Sequence, residues 1–473
     1  MDDHFSQKRG IMNINLISKT EWKEGLTFKL SFGKQDPIPG ESRPTAGSIL
    51  LMGKNLGEVS LGLENKINAE TIRKTGAGIA KWLHGYDDLS IGIDLAGLDS
   101  LDVENPVLAL CEGLLLGDFK FTEFKNKKSR KPSTINLLGD KKVQSEVDQA
   151  IILAEGTNLA RSLAHTPANI INPETLSDIC EKIAQENDLG FKVLDDKELK
   201  EMGAGAIVSV GQGSQTPSRL IVMEYKGKSP DKKPVVLVGK AITFDTGGYS
   251  IKTKTGIVGM KYDKCGGVTV AAILQTVAKL GLDTPVIGLI PAAENMISKE
   301  AYRPNDIITS LSGKTIEIIS TDAEGRMVMS DTLTYAQREY NPEVLIDIAT
   351  LTGGVVVALG GVRAGIFGTD QKLIDSLIDA GENVHERLWQ MPLDEEYFDL
   401  IRGGDSDFKN SGGVTTASSV QGAIFLKQFI KNGTKWAHID IAGTGTINKS
   451  AAYCPKGATG FGMRLITEYI RSL

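Results

Sequence analysis

Consecutive apolar runs in the second half of the chain most limit what it can fold into. The strongest predicted strands are residues 234–239 (PVVLVG), 285–290 (PVIGLI), 315–320 (TIEIIS) and 343–350 (EVLIDIAT). Strands that are apolar at successive positions are typical of a sheet covered by helices on both faces. In such sheets, ligands bind beyond the carboxyl ends of the strands. Residues that bind ligands or take part in catalysis are therefore expected in the segments that follow these runs.

Alternating strand and helix patterns predict an α/β protein with two domains. Residues 1–144 are expected to form an N-terminal α/β domain with a role in assembly or access control. Its predicted strands cover 14–18, 48–53, 89–95 and 133–139, and its predicted helices cover 69–83 and 107–117. A helical pattern over 145–165 is expected to connect it to a larger second domain, 166–473. That domain is expected to hold a mixed, mostly parallel sheet covered by helices.

The composition is that of an ordinary globular protein, with 41% hydrophobic and 24% charged residues in a chain of 473. A net charge of −6 argues against a general nucleic-acid binder. Lys120–Lys131 is locally basic and is interpreted as a solvated loop or hairpin. Four widely spaced cysteines without a CxxC pair fit a reducing, cytoplasmic location. The N-terminus lacks an apolar signal-peptide core, and no run of about 18 apolar residues predicts a membrane span.

Charged side chains gather in the segments that follow the predicted strands. They are Lys240, Asp245, Lys252 and Asp263 after the first run, and Asp322, Glu324 and Arg326 after the third. If segment 319–327 is extended, its three charges point the same way, because side chains alternate along an extended chain. Each residue alone has an ordinary explanation as a turn, helix-entry or surface residue. Four acids at strand ends favour a shared site instead.

A pair of divalent metal ions is the physical account that we favour for this cluster. Two metal ions about 3.5–4 Å apart can be bridged by carboxylates and can activate a water molecule. Oxygen ligands suit Mg²⁺ and Mn²⁺, and Zn²⁺ also accepts carboxylates. With five histidines and no HExxH pattern, a histidine-rich zinc site is not expected. A lysine can ligate a metal only when neutral, whereas a second, charged lysine can polarise a carbonyl oxygen.

Four successive motifs resemble those of the leucine aminopeptidase (cytosol aminopeptidase) family: VGKAITFDTGGYSIK, MKYDKCGG, STDAEGRM and DIATLTGG. STDAEGRM is similar to a highly specific family signature of the NTDAEGRL type. GQGSQTPSRL, ENMISKEAYRPNDI and WAHIDIAG are further matches. The resemblance covers about residues 150–473 and is weak in the N-terminal third. It implies a two-metal exopeptidase that removes N-terminal residues, leucine and other apolar ones above all, from peptides.

The resemblance also implies a role for each charged residue. Lys240, Asp245, Asp263 and Glu324 would hold the tighter metal, and Asp245, Asp322 and Glu324 the looser one. The free α-amine of the peptide would bind one metal. The scissile carbonyl would be polarised by the other metal and by Lys252. Arg326 would hold bicarbonate or a similar anion that assists proton transfer. The metals implied are Mn²⁺ or Zn²⁺, with Mg²⁺ and Co²⁺ as further candidates.

The same motifs imply a substrate cleft and an assembly. The residues that would contact substrate are Lys252, Met260, Thr350, Leu351, Gly353, Ala442 and Gly445. Members of the family are typically homohexamers, so the resemblance implies that assembly here. The resemblance further implies that the protein acts on peptides with a free N-terminus and binds neither a membrane nor nucleic acid.

Several residues depart from the family pattern. Lys264, directly after Asp263, stands where an apolar Met is common, and it either weakens metal binding or points away. Asn305 replaces the Gly of an RPGDI motif, which is tolerable because Asn adopts positive φ more readily than most residues. Gly445 is smaller than the residues often found there, which predicts a roomier side-chain pocket. No implied ligand or catalytic residue is missing, which favours an active enzyme.

The sequence is compatible with two other functions. A catalytically weakened relative with a nucleic-acid-binding or other non-enzymatic role would use the basic segment Lys120–Lys131. A Mg²⁺-dependent phosphoryl-transfer enzyme would also use clustered acids, but the chain contains no P-loop GxxxxGK[ST] and no GxGxxG.

Overall fold

The computed structural model describes residues 12–126 and 131–473. The described residues divide into two compact units, the first those up to Asn158 with Asn448–Lys456 and the second Leu159–Ile447 with Gly457–Leu473. Part of the basic segment, residues 127–130, lies outside the described residues, so its interpretation as a loop or hairpin stays a prediction. Among the residues that are described, no helix is long and apolar enough to cross a membrane.

The first unit combines one sheet with two main helices. Its elements are β1 (Asn13–Ile17), β2 (Leu26–Ser31), β3 (Ile49–Leu51), β4 (Leu56–Ser60), α1 (Ala69–Leu83), β5 (Ser90–Asp94), α2 (Pro106–Asp118) and β6 (Thr134–Leu138). The strands lie in the order β1-β6-β5-β2-β4-β3, and the β3–β4 pair is antiparallel. α1 has the predicted bounds because Asn68 and Thr71 form a capping box at its start. The sequence patterns missed β2 and β4, in which polar residues or glycine separate the apolar ones.

The second unit is larger and begins inside the long helix α3 (Gln144–His165). Its strands are β7 (Gly190–Leu194), β8 (Arg219–Tyr225), β9 (Val235–Gly239), β10 (Ala241–Asp245), β11 (Val286–Asn295), β12 (Ile307–Thr309), β13 (Thr315–Glu317), β14 (Val344–Ala349), β15 (Ala364–Gly368), β16 (Leu388–Gln390), β17 (Phe408–Lys409), β18 (Trp436–Asp440), β19 (Thr446–Ile447) and β20 (Gly457–Ala458). Its other helices are α4 (Pro173–Glu186), α5 (Asp196–Glu201), α6 (Gly205–Gly211), α7 (Cys265–Leu280), α8 (Glu324–Glu339), α9 (Gly353–Leu359), α10 (Gln371–Val384), α11 (Ser418–Lys427) and α12 (Met463–Arg471).

The central sheet of the second unit has the predicted mixed, mostly parallel arrangement. Its order within the described residues is β16-β15-β18-β14-β9-β11-β8-β7, and β10 also pairs with β11. The pairs among β18, β14, β9 and β11 are parallel, whereas β7, β8 and β15 supply antiparallel pairs. Apolar side chains of α4, α7, α10 and α12 form a core on one face, and those of α6, α8 and α11 on the other. This double coverage explains why β9 and β14 are buried along their whole length.

The prediction for residues 315–320 was wrong in its placement. β13 is three residues long and pairs with β12 and β17 in a small separate sheet rather than in the central one. Glu317 interrupts the apolar run, so only alternate residues, Ile316 and Ile318, are fully buried. Asn305, which precedes β12, has a φ of +72°, as its identity predicted.

Candidate active site

Lys240 joins four segments of the second unit at the carboxyl end of β9. Its Nζ donates to Oδ1 of Asp263 at 2.7 Å and to the carbonyl of Thr350 at 3.0 Å, and it lies 2.9 Å from Oε1 of Glu324. The first turn of α7 packs against this strand end, where the N–H of Gly267 donates to the Lys240 carbonyl at 2.7 Å. The side chain of Lys240 is almost fully buried. One ammonium group therefore holds residues from the ends of β9 and β14 and from the starts of α7 and α8.

Lys252 makes a second ion cluster beside the first. Its Nζ lies 2.7 Å from Oδ2 of Asp245 and 2.5 Å from Oδ1 of Asp322. The loop that carries Lys252 leaves β10 through Gly247 and Gly248, whose φ angles are +84° and +59°. Glycine suits both positions because side chains disfavour this region of backbone conformation. The turn brings Lys252 back over Asp245, which ends β10.

The two clusters contain all the acids that the sequence placed at the strand ends. Asp245, Asp322 and Glu324 each offer one oxygen, and the three oxygens lie within 4.8 Å of one another. Asp263 connects to them through Lys240. Four carboxylates thus face two ammonium groups, which leaves an excess of negative charge in a largely buried place. Such a group is strained electrostatically unless a proton or a cation joins it, and burial together with the charges of Glu324 and Asp245 raises the pKa of Asp263 to about 8.

The pKa values report this excess of negative charge. Burial lowers the pKa of Lys240, but the charges of Asp263, Glu324 and Asp245 outweigh burial and raise its pKa above the ordinary value. The same balance raises the pKa of Lys252. Burial and the charge of Glu324 raise the pKa of Asp322 to about 6. Both lysines are therefore ammonium groups in this arrangement, so a lysine that ligates a metal would have to release its proton on binding.

The donor set fits divalent metal ions. Oδ2 of Asp263 and Oε2 of Glu324 are buried and have no hydrogen-bond partner among the described residues. A buried charged oxygen without a donor is costly, so such atoms in a folded protein call for another positive partner. Carboxylate oxygens are ligands for Mg²⁺, Mn²⁺ and Zn²⁺. The unsatisfied oxygens and the excess negative charge both favour a metal centre here.

The condition under which Asp322, Glu324 and Arg326 would point the same way, an extended segment, is not met. Glu324 is the first residue of α8, and Arg326 lies in its first turn. Asp322 precedes the helix and keeps 38% of its side chain exposed, whereas Glu324 keeps 3%. The helix starts here because the chain turns into the buried core through Met327, Val328 and Met329. Tertiary packing therefore overrides the alternation that the charges suggested.

Arg326 is buried beneath the same segment. Its Nη1 donates to the carbonyl of Asn410 at 2.7 Å, and its Nε has no partner among the described residues. Burial lowers the pKa of Arg326 to about 10, so the guanidinium stays charged at neutral pH. Its Nη2 lies close to Gly422, where an added Cβ would come within 3.6 Å of it. A buried guanidinium with an unused donor can hold an anion.

The segment after β14 is tied both to the ion clusters and to Asp440. Oγ1 of Thr350 donates to Oδ1 of Asp263 at 2.7 Å. Oδ1 of Asp440 accepts from the backbone N–H groups of Leu351 and Ala442, each at 3.1 Å. Oδ2 of Asp440 accepts from Oγ1 of Thr352 at 2.6 Å. Asp440 thereby fixes the turn that leads to Gly353 at the start of α9.

The remaining residues implied to contact substrate lie close to this turn or to Asp263. Met260 begins a short 3₁₀ helix that leads to Asp263. Ala442 is half-buried, and Gly445 is buried. A Cβ added to Gly445 would lie 3.4 Å from Cγ2 of Thr350, which places these two residues side by side.

Sequence reasoning missed three buried polar residues that support the site, namely Asn295, Asn410 and Asp440. Asn295 and Asp440 end buried strands, inside motifs that resemble the family, so a polar residue closing an apolar run was an available signal. Asn410 follows the two-residue strand β17, and no pattern marks it.

Lys264 points away from the acids, which resolves the two alternatives left by the sequence. Its Nζ donates to the carbonyls of Thr166 at 2.8 Å, Lys261 at 2.5 Å and Ala164 at 3.3 Å. Burial lowers the pKa of Lys264 to about 7. The side chain of Lys264 thus joins α3 to the start of α7. Asp263 forms its ion pair with Lys240 instead.

Clustered acids and lysines at the strand ends of a doubly covered α/β sheet are typical of a metal-dependent enzyme. Residues 158–467 match the catalytic domain of the cytosol aminopeptidase family, and residues 54–128 match its N-terminal domain. The chain belongs to this family.

Individual relatives agree with this assignment. The chain is 36% identical to a probable cytosol aminopeptidase of Rickettsia bellii (strain OSU 85-389), with 100% of this chain and 95% of that protein covered. It is 41% identical to a probable cytosol aminopeptidase of Azotobacter vinelandii, with 87% and 84% covered. Among solved structures, the bottromycin maturation enzyme BotP in complex with Mn has a TM-score of 0.88 at 29% identity, with 95% of this chain and 99% of that chain covered.

Proposed function

We propose that this metal-dependent aminopeptidase uses two metal ions and releases leucine and other apolar residues from the N-terminus of peptides. The observation that carries the proposal is the pair of buried carboxylate oxygens, Oδ2 of Asp263 and Oε2 of Glu324, that lack donors among the described residues. They lie in the same group of acids as Asp245 and Asp322, where negative charge exceeds positive charge. Two divalent ions would satisfy both the free oxygens and the charge.

The proposed ligands divide into two sets that share residues. Lys240, Asp245, Asp263 and Glu324 would hold the tighter metal, and Asp245, Asp322 and Glu324 the looser one. BotP is described in complex with Mn, which supports Mn²⁺ here, and carboxylate ligands also admit Zn²⁺, Mg²⁺ and Co²⁺. When bound, the metals would acidify a water molecule and withdraw electrons from the scissile carbonyl.

Lys252 and Arg326 are the proposed catalytic residues. The raised pKa of Lys252 keeps its ammonium charged, so Nζ can donate a hydrogen bond to the carbonyl oxygen as negative charge develops on it. The buried guanidinium of Arg326 would hold bicarbonate, whose oxygens can accept the proton from the attacking water and return it to the leaving amine. Arg326 is suited to this role because its Nε has no other partner among the described residues.

The proposed substrate contacts follow from the position of the turn after β14. Thr350, Leu351 and Gly353 would line the cleft, and Met260, Ala442 and Gly445 would line the pocket for the N-terminal side chain. Asp440 holds this turn through two hydrogen bonds, from the N–H of Leu351 and from Oγ1 of Thr352, which suits a surface that must align a peptide. A homohexamer and a cytoplasmic location complete the proposal.

Hydrolysis of L-leucine p-nitroanilide tests the proposed function. The assay compares this substrate with its N-acetylated counterpart, after chelation and again after Mn²⁺ or Zn²⁺ is restored. We expect cleavage of the free-amine substrate alone, and only with metal. Equal cleavage of the N-acetylated substrate, or full activity in the chelated protein, would contradict the proposal.

A further inference from the structure

Asn295 lies at the point where the two loops that carry the acids meet. It ends β11, and the parallel pairing of β10 with β11 sets it opposite Asp245. Its Nδ2 donates to Oδ1 of Asp245 at 2.8 Å and to the carbonyl of Thr321 at 3.0 Å. Thr321 directly precedes Asp322. One fully buried amide thus joins the loop after β10 to the loop before α8.

The orientation of this amide follows from its neighbours. Both partners, a carboxylate oxygen and a backbone carbonyl, only accept hydrogen bonds, so the NH₂ group must face them. Oδ1 of Asn295 is buried and has no partner among the described residues. It lies against Gly248, where an added Cβ would come within 3.0 Å. Rotating the amide would set its oxygen against two acceptors, so this is the orientation that the site permits.

The amide fixes which oxygen of Asp245 faces the other acids. Oδ1 of Asp245 accepts from Asn295 and also from the N–H of Gly247 at 2.9 Å. With Oδ1 held by two donors, Oδ2 is directed toward Lys252. A carboxylate held in this way offers one oxygen in a fixed direction, which lowers the cost of ordering it when a ligand binds.

The second loop is held by the same network. The carbonyl of Thr321 accepts from Asn295 and from the hydroxyl of Tyr302 at 2.8 Å. Oγ1 of Thr321 donates to the carbonyl of Gly247 at 2.6 Å, which links it directly to the first loop. The separation between Asp245 and Asp322 is therefore set by a few buried hydrogen bonds centred on Asn295 and Thr321.

We infer that Asn295 is a positioning residue for the metal centre, one that sets the orientation of Asp245 and its distance from Asp322. The inference rests on the proposed two-metal function. Without the amide, Asp245 is held only by the N–H of Gly247 at Oδ1 and by Lys252 at Oδ2. The loop before α8 keeps the bonds of Thr321 to Tyr302 and Gly247. The acids remain present but are no longer held in one arrangement.

Calorimetric titration of the chelated, full-length protein with Mn²⁺ tests the inference. Asn295→Leu removes both donors while keeping the branched shape of the side chain, and we expect it to weaken Mn²⁺ binding by about tenfold to a hundredfold. Gln337→Leu is the matched control, because Gln337 is a buried amide of the same unit that contacts the carbonyls of Leu333 and Phe429 and none of the acids. We expect the control to lower thermal stability while keeping wild-type Mn²⁺ affinity.

The outcomes separate the inference from the proposed function. Wild-type protein that binds two Mn²⁺ ions, with weaker binding in folded Asn295→Leu alone, supports the inference. Equal affinity in wild type and Asn295→Leu overturns it and leaves the proposed function standing. Wild-type protein that binds neither Mn²⁺ nor Zn²⁺ overturns the proposed function itself. If Asn295→Leu does not fold, Asn295→Ser, which keeps one donor, takes its place with the same criterion.

Discussion

Nζ of Lys264 and the carbonyl of Thr166 lie 2.8 Å apart, so Lys264 turns toward α3 and away from Asp263, the residue that it follows. Two further carbonyls, of Lys261 and Ala164, complete its environment. The side chain next to a proposed metal ligand therefore bonds to backbone carbonyls rather than to the acids. Replacing Lys264 is therefore expected to change the stability of the fold without changing the affinity for metal.

Lys264→Ala is expected to lower the free energy of unfolding by about 2–4 kcal/mol, because it leaves a cavity and three buried carbonyls without a donor. Urea unfolding of the variant and the wild type measures the difference. Lys372→Ala, an exposed lysine on α10, serves as the control and should change little. Mn²⁺ affinity should stay at the wild-type value in both variants. A large loss of affinity in Lys264→Ala would contradict the orientation of the side chain.

His165 predicts a loss of stability in acid. Burial and the positive charges of Lys261, Arg161 and Lys264 lower the pKa of His165 to about 4. Its Nε2 accepts a hydrogen bond from the N–H of Ala458 at 3.2 Å, which requires the neutral ring. The unfolded chain binds a proton near pH 6.5 and the folded one only near pH 4, so the stability that the neutral ring confers is lost as the pH falls between these values.

The expected slope for His165 is about 1 kcal/mol per pH unit at most. Unfolding by urea between pH 7 and pH 4.5 measures it, with His165→Gln as the comparison because glutamine keeps an acceptor and does not titrate. The variant should lack this part of the pH dependence. Parallel curves for variant and wild type would rule out His165 as the source.

Arg326→Lys tests the proposed anion site. The substitution keeps a positive charge but loses the forked guanidinium donors, so we expect kcat to fall by about a hundredfold and stimulation by added bicarbonate to disappear. Initial rates with and without bicarbonate measure both effects. Arg338→Lys is the control, since Arg338 donates to the carbonyl of Leu311, away from the acids. Unchanged bicarbonate stimulation in Arg326→Lys would count against the anion role.

Gly445→Ala tests the proposed side-chain pocket. The added Cβ would lie 3.4 Å from Cγ2 of Thr350 and 3.0 Å from the carbonyl of Ile441, so it narrows the space beside Thr350. We expect the ratio of kcat/KM for a phenylalanine anilide to that for an alanine anilide to fall by about tenfold. Gly404→Ala is the control, because a Cβ there meets nothing within 4 Å. An unchanged ratio would place the pocket elsewhere.

Much of the architecture could be predicted from local patterns. Continuous apolar runs marked β9, β11 and β14, because strands covered on both faces have no exposed side to make polar. Both bounds of α1, which begins with the capping pair of Asn68 and Thr71, were predicted. β2 and β4 were missed, since polar residues and a glycine separate their apolar residues and leave no continuous apolar run.

The sequence by itself determined the identities and the order of the acids and lysines that follow the strands, and its motifs were specific enough to indicate the family. The tertiary structure decided how they are used. Glu324 and Arg326 lie in a helix because α8 packs into the core. Lys264 turns away from Asp263 because its Nζ donates to the carbonyls of Ala164, in α3, and Thr166, just after it. Asn295 meets Asp245 only because β10 and β11 pair in parallel. Such contacts join residues far apart in the chain, and no local pattern contains them.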